Sequence, residues 1–182
     1  MKIEIISGSP RNAGVTKRVA LHLKRWLQSN TDHKADLIDL NKWNLPPVQS
    51  VFVSVDKTPD EFQPLAERMF DANAFILVTP EYNGSYSPAI KNLLDHFPKQ
   101  HHKPFGIVTA SPGAMGASGL HNNCFSWRPH CLVLHRLICS SFLQWTKNLM
   151  LMGICWRKVL KKIFTTLCRS FSGWQRVWQK KK

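Results

Sequence analysis

The sequence predicts an α/β domain, an open parallel sheet with helices on both faces. Strand-length apolar runs alternate with stretches whose apolar residues recur at helical spacing along residues 3–110. One run, Ala74-Phe75-Ile76-Leu77-Val78, is apolar without alternation, as a strand covered on both faces must be. Three loops of small and hydroxyl residues, 7–16, 80–87 and 110–116, each follow a strand, at the rim where sheets of this kind bind ligands.

Ile3-Glu4-Ile5-Ile6-Ser7 is the first strand. It leads through Gly8-Ser9-Pro10-Arg11-Asn12-Ala13-Gly14-Val15-Thr16 into a helix predicted to run from an N-cap at Thr16 to about residue 29. Val19, Ala20, Leu23, Trp26 and Leu27 fall on its buried face. The first N–H groups of a helix lack intrahelical partners and carry partial positive charge, so this loop suits a phosphate. Ser7, Ser9, Asn12 and Thr16 add donors, and Arg11 adds a charge-assisted one. The pattern is neither the Walker loop, which ends in Gly-Lys-Ser/Thr, nor the three-glycine dinucleotide fingerprint. A plain strand-to-helix turn draws on the same residue types; three such loops at strand ends favour a binding site.

Residues 34–40 read as the second strand. Residues 41–59, marked by Pro46-Pro47, form a loop long enough to be functional or mobile. A helix over 60–71 buries Phe62, Leu65, Ala66 and Met69, and the third strand spans 72–79. Ser87-Pro88 starts a helix over 88–97, because proline at the first helical position sacrifices no hydrogen bond. A fourth strand over 104–110 delivers Ser111-Pro112-Gly113-Ala114-Met115-Gly116.

With 182 residues the chain has the length of one domain and can bury a core without staples. No segment approaches the roughly 18 apolar residues of a membrane span, and the opening apolar run stops at Gly8, short of a signal peptide. The cytoplasm is the expected location. A net charge of +14 would suggest nucleic acid or an anionic membrane if it were spread evenly. It is concentrated instead: residues 1–115 hold all 11 acids and 13 of the 25 basic residues, while residues 116–182 hold basic residues alone. That second stretch also carries all five cysteines and five of the seven tryptophans. The cysteines form no CxxC pair and no zinc spacing, so no metal is expected.

Gly8-Ser9-Pro10-Arg11, the block Thr79-Pro80-Glu81-Tyr82-Asn83-Gly84-Ser85-Tyr86, Lys91-Asn92-Leu93-Leu94-Asp95 and Ala110-Ser111-Pro112-Gly113 together resemble the NADPH-dependent FMN reductase family, a flavodoxin-like group of flavin, quinone, azo-compound and chromate reductases. The second block is the specific one, and the match covers residues 1 to about 117. The resemblance implies a sheet of strand order 2-1-3-4-5. It also implies FMN as cofactor, NADPH or NADH as hydride donor, a small-molecule acceptor and a homodimer or homotetramer, with the 80–97 region near the interface. On the same basis, Ser9, Arg11, Asn12 and Thr16 hold the phosphate. Pro80, Glu81, Tyr82, Asn83, Gly84 and Ser85 lie along the flavin ring, and Ser111 and Gly113 close its other side. A flat ring needs small residues where backbone approaches it, and backbone groups near the ring nitrogens tune its electronics. No catalytic side chain is implied, because hydride transfer to a flavin needs no protein base; Glu81 reads as structural. Tyr82 either stacks near the ring or caps its loop. His96, His101 and His102 read as solvated loop residues.

The family pattern would continue with a helix, a fifth strand and a last helix rich in Glu and Lys, and residues from about Gly119 onward do not match it. A stretch without one carboxylate, studded with Cys, Trp and His, resembles translation in a shifted frame, entered near residues 116–120. This divides the chain into an FMN-binding domain over 1–117 and an aberrant tail over 118–182. The rival reading is a basic amphipathic helix. Trp156, Val159, Leu160, Ile163, Phe164, Leu167, Phe171, Trp174 and Trp178 recur at helical spacing opposite Arg157, Lys158, Lys161, Lys162 and Arg169, broken by Gly173. Such a helix suits an anionic membrane or a nucleic acid on a non-enzymatic protein.

Overall fold

The computed structural model describes residues 1–12, 14–101, 103–109 and the strand at 131–133, all within the compact unit Met1–Cys139. Strands β1 (Lys2–Ser7), β2 (Lys34–Asp39), β3 (Ala74–Thr79), β4 (Phe105–Thr109) and β5 (Cys131–Val133) form one sheet in the order β2-β1-β3-β4-β5. Every neighbouring pair is parallel, with Ser7 opposite Asp39 and Val78, and Thr79 opposite Thr109. The expected order 2-1-3-4-5 is therefore present. β5 occupies the fifth position, for which the sequence shows no family-like strand, through three residues beside Phe105, Gly106 and Ile107.

Helices α1 (Val15–Asn30), α2 (Gln63–Asp71) and α3 (Pro88–Asp95) link the strands. Side chains alternate across a pleated strand, which sorts the core into two layers. Ile6, Phe75 and Leu77 pack with Leu65, Ala66 and Met69 of α2 and with Ile90 and Leu93 of α3. Ile3 and Ile5 point to the opposite face, where α1 lies against β1, β2 and β3 and buries Ala20, Leu23 and Leu27. All six residues of β3 are buried, as its unbroken apolar run predicted.

Several details differ from the sequence reading. Thr16 is not the N-cap of α1; Gly14 is, without a side-chain bond, and Thr16 is buried one position inside the helix. Val19 and Trp26 are only partly buried. The helix expected over 60–71 opens as a 3-10 turn, Asp60–Phe62, before Gln63 begins α2, and its four predicted core residues are all buried. The 41–59 loop is pinned to the core. Phe52 is buried against Phe62, His96 and Phe97, and its N–H donates to the His96 carbonyl at 2.7 Å. His96 is correspondingly no solvated loop residue: it is 2% exposed, with Nδ1 2.8 Å from the Asn92 carbonyl. His101 is exposed as expected. His102, Ser111, Gly113 and the 156–178 helical pattern lie outside the described residues.

Two polar devices lock layers together. Burial pushes the Glu4 carboxyl on β1 above the usual carboxylate range, against the opposing pull of Arg68 on α2. Arg68 meets it with both Nε and Nη2. Lys103, ahead of β4, donates to the Met69 and Phe70 carbonyls at 2.9 and 2.8 Å, satisfying acceptors at the end of α2 that the helix leaves open.

Candidate functional site

Because every strand is parallel, the loops after β1, β2 and β3 emerge on one rim, and four contacts tie them together. Gly8 N–H donates to the Val78 carbonyl at 2.8 Å, and Ser87 Oγ donates to the Gly8 carbonyl at 2.6 Å. Asn41 Nδ2, after β2, donates to Asn12 Oδ1 at 2.7 Å. The Arg11 guanidinium lies over the Tyr82 ring, 5.8 Å from its centroid. Two of the three loops singled out from sequence are thus neighbours, and β4 ends at Thr109, beside Thr79.

The loop after β1 carries donors and no acid. No acidic residue occupies the first turn of α1, and its N-cap, Gly14, supplies no side-chain bond to the leading N–H groups, which are the groups a helix leaves without intrahelical partners. Arg11 is exposed and has no carboxylate partner among the described residues. Ser9 is buried and its Oγ accepts from Arg11 N–H at 3.3 Å. Gly14 stands so close that a Cβ there would come 2.8 Å from Ser9 Oγ. Beneath the loop, Ser7 Oγ is buried and finds no hydrogen-bond partner among the described residues. Its neighbour across the ladder, Asp39, holds Lys17 of α1 at 2.8 Å and accepts from Asn41 N–H at 3.3 Å. Asn41, Lys17 and Asp39 were missed in the sequence; the signal was an acid ending a buried strand, beside the loop.

The loop after β3 is a tight hairpin. Tyr82 and Ser85 exchange N–H to carbonyl bonds of 2.9 and 3.0 Å around Asn83 and Gly84, whose φ values are +51° and +77°. Positive φ at both central positions defines a type I′ turn, for which Asn-Gly is the favoured pair. A Cβ built at Gly84 would meet none of the described residues within 4 Å, so no neighbouring side chain crowds that side of the turn. Ser87 then caps α3, accepting from Ile90 N–H with Pro88 in the first turn, as the sequence predicted. Its own N–H donates to Thr79 Oγ1 at 3.1 Å.

Among the described residues, no helix is long and apolar enough to cross a membrane and no group of three or more His, Cys, Asp or Glu converges. Comparison with known proteins gives one family. Residues 1–142 match the NADPH-dependent FMN reductase family, past the boundary near 117 drawn from motifs. The FMN-dependent NADPH-azoreductase of Staphylococcus aureus (strain USA300) is 32% identical over 124 residues, 66% of this chain and 65% of the relative. The chain thus spans just under two-thirds of that relative's length. Among solved structures, the apo form of an NADH:FMN oxidoreductase superposes with a TM-score of 0.56 at 20% identity, covering 66% of this chain and 64% of the other. A flavoenzyme NAD(P)H:(acceptor) oxidoreductase from Paracoccus denitrificans gives 0.55 at 19%, covering 76% and 78%. These two share the fold. With the sheet order, the braced loops and the match over 1–142 in agreement, the chain belongs to the NADPH-dependent FMN reductase family.

Proposed function

We propose that this protein is an NAD(P)H-dependent oxidoreductase that uses FMN to reduce a small acceptor such as a flavin, quinone, azo compound or metal oxyanion. The observation that carries the reading is the N-terminus of α1 without a side-chain cap, with Arg11, which has no carboxylate partner among the described residues, beside it and a tight Asn-Gly hairpin across from it. These features fit a flavin nucleotide: helix N–H groups, Ser9, Arg11, Asn12 and Thr16 for the phosphate, and the backbone of Pro80, Glu81, Tyr82, Asn83, Gly84 and Ser85 for the ring. Ser111 and Gly113 are assigned to the ring's other side by family likeness. When bound, FMN supplies the hydride-accepting and electron-releasing chemistry, and no side chain is assigned a proton-transfer role.

The protein's part is placement. Arg11 and the helix N-terminus offer charge complementary to a phosphate dianion. The hairpin holds backbone against a flat ring with no side chain at Gly84 to intervene. Asp39 and Asn41 anchor Lys17 and Asn12, so the phosphate loop is set before a ligand arrives and less ordering entropy is lost on binding. A cytoplasmic location and a homodimeric or homotetrameric assembly belong to the same proposal. The test is anaerobic addition of NADPH to FMN-loaded protein, followed by an acceptor. Bleaching of the flavin bands and their return on adding a quinone or azo dye is expected; a flavin that stays oxidised under NADPH contradicts the reading.

For residues 118–182 we propose a shifted reading frame near 116–120, supported by the loss of every carboxylate beyond that point. Translating the coding DNA in its other two frames should restore an acidic strand-and-helix pattern; failure in both ends the proposal. The unopposed positive charge of the same stretch favours a second reading, attachment to an anionic membrane or nucleic acid. Salt-sensitive binding to anionic vesicles or DNA, without flavin uptake, would support it.

A further inference from the structure

The contact between Arg11 and Tyr82 joins two loops with different tasks, and nothing in the phosphate reading of Arg11 requires it. Among the described residues Arg11 has no carboxylate to hold it, and its guanidinium lies over the one aromatic ring of the hairpin. A guanidinium is planar and weakly hydrated, so it stacks on an aromatic face where an ammonium would stay in water. The other flank of the same loop is fastened by Asn12 to Asn41, so Arg11 sits on a braced support. Tyr82 in turn opens the two-residue turn, its backbone exchanging both bonds with Ser85, so its ring is attached directly to the base of the hairpin. Cation, ring and turn form one mechanical unit.

From this we infer that Arg11 is a positioning residue for the flavin-ring hairpin, acting through Tyr82, in addition to any direct hold on phosphate. The inference rests on the flavin-site reading and deepens it. Its consequence is specific: Arg11 contributes to the binding of a flavin that has no phosphate at all. If Arg11 serves only as a phosphate ligand, riboflavin cannot sense its removal.

The test compares FMN and riboflavin affinities of the full-length protein by fluorescence quenching, in wild type, Arg11→Gln, Arg11→Lys, Tyr82→Phe, Tyr82→Leu and Arg11→Gln/Tyr82→Leu. An exposed cation over a ring corresponds to roughly a two- to fivefold change in affinity. Arg11→Gln should weaken riboflavin by that factor and FMN by more. Arg11→Lys should recover much of the FMN loss and little of the riboflavin loss, because lysine keeps the charge and forfeits the planar stack. Tyr82→Phe keeps the ring face and should behave as wild type. In the Tyr82→Leu background, Arg11→Gln should cost riboflavin nothing further while still weakening FMN. Unchanged riboflavin affinity in Arg11→Gln, or losses from the two substitutions that simply add, overturns the inference. If the wild-type chain takes up no flavin, the site reading fails, and the contact is judged separately by the same double-substitution cycle on the thermal midpoint of the flavin-free protein. Non-additive losses support the coupling and additive ones overturn it.

Discussion

Ser87 Oγ donates to the carbonyl of Gly8 at 2.6 Å, so the residue that caps α3 also fastens the start of the loop after β1. The two lie 79 positions apart in sequence, and their contact leaves no room beside Gly8. A Cβ built there falls 2.5 Å from Ile90 Cγ1 and closer still to Cδ1. Glycine at this position is required by the approach of α3 to the β1 loop.

Gly8→Ala should therefore destabilise the protein by about 1–3 kcal/mol through overpacking. Adding Ile90→Ala should not return the full loss, since it removes a buried side chain of its own. Ser87→Ala should cost about 1–2 kcal/mol, from the lost cap and the lost bond to Gly8. Urea unfolding of each variant checks the three values.

Asn83 adopts φ +51° in the hairpin, a region costly for residues with a branched β-carbon. Asn83→Gly should leave stability within about 0.5 kcal/mol of wild type, whereas Asn83→Val should cost about 1–2 kcal/mol. The same Val variant should bind FMN more weakly, because the hairpin's backbone is displaced. Thermal unfolding and flavin titration measure the two effects.

Arg68→Met removes the partner of a nearly buried carboxylate. With both side chains retaining some exposure, the loss at neutral pH should be about 1–3 kcal/mol. The pH dependence has a definite sign. Burial holds the Glu4 pKa above its unfolded value, so the folded state binds the proton more tightly than the unfolded one. Acidification through the folded pKa toward the ordinary value of 4.5 therefore favours folding at this group, and rising pH removes that advantage. Without Arg68 the lowering influence is gone, so the variant's deficit should shrink as pH falls from neutrality toward 5. The comparison is urea unfolding of variant and wild type across that range.

Lys103 satisfies two carbonyls at the end of α2 and lies 5.6 Å from the Phe75 ring centroid. Lys103→Met keeps much of the stem's packing and removes the donors. It should cost about 1–2 kcal/mol, and amide exchange should quicken first in the last turn of α2.

The architecture was legible because its signals are local. β3 is apolar without alternation up to Thr79, Phe62 of the 3-10 turn and Leu65, Ala66 and Met69 of α2 recur at helical spacing, and Ser87-Pro88 marks the start of α3. Long-range packing was less accessible. His96 looked like a solvated residue at a helix end, yet it is buried, with Phe52, 44 positions away and inside an apparent loop, packed against its ring. Thr16 had the chemistry of an N-cap, but the chain enters α1 two residues earlier, through Gly14. At the candidate site, Gly8, Arg11 and the Asn83-Gly84 turn could be singled out from sequence. Their bracing could not: the Asn12–Asn41, Lys17–Asp39 and Arg11–Tyr82 contacts each join loops or elements that only the sheet order brings together.

One flavin nucleotide is proposed to bind at the rim formed by the β1 and β3 loops. Equilibrium titration of the purified full-length chain with FMN tests it most directly. One FMN per chain, retained through desalting and loosened in Arg11→Gln, is the predicted result. A colourless protein after incubation with excess FMN, or uptake unaffected by that substitution, would contradict it.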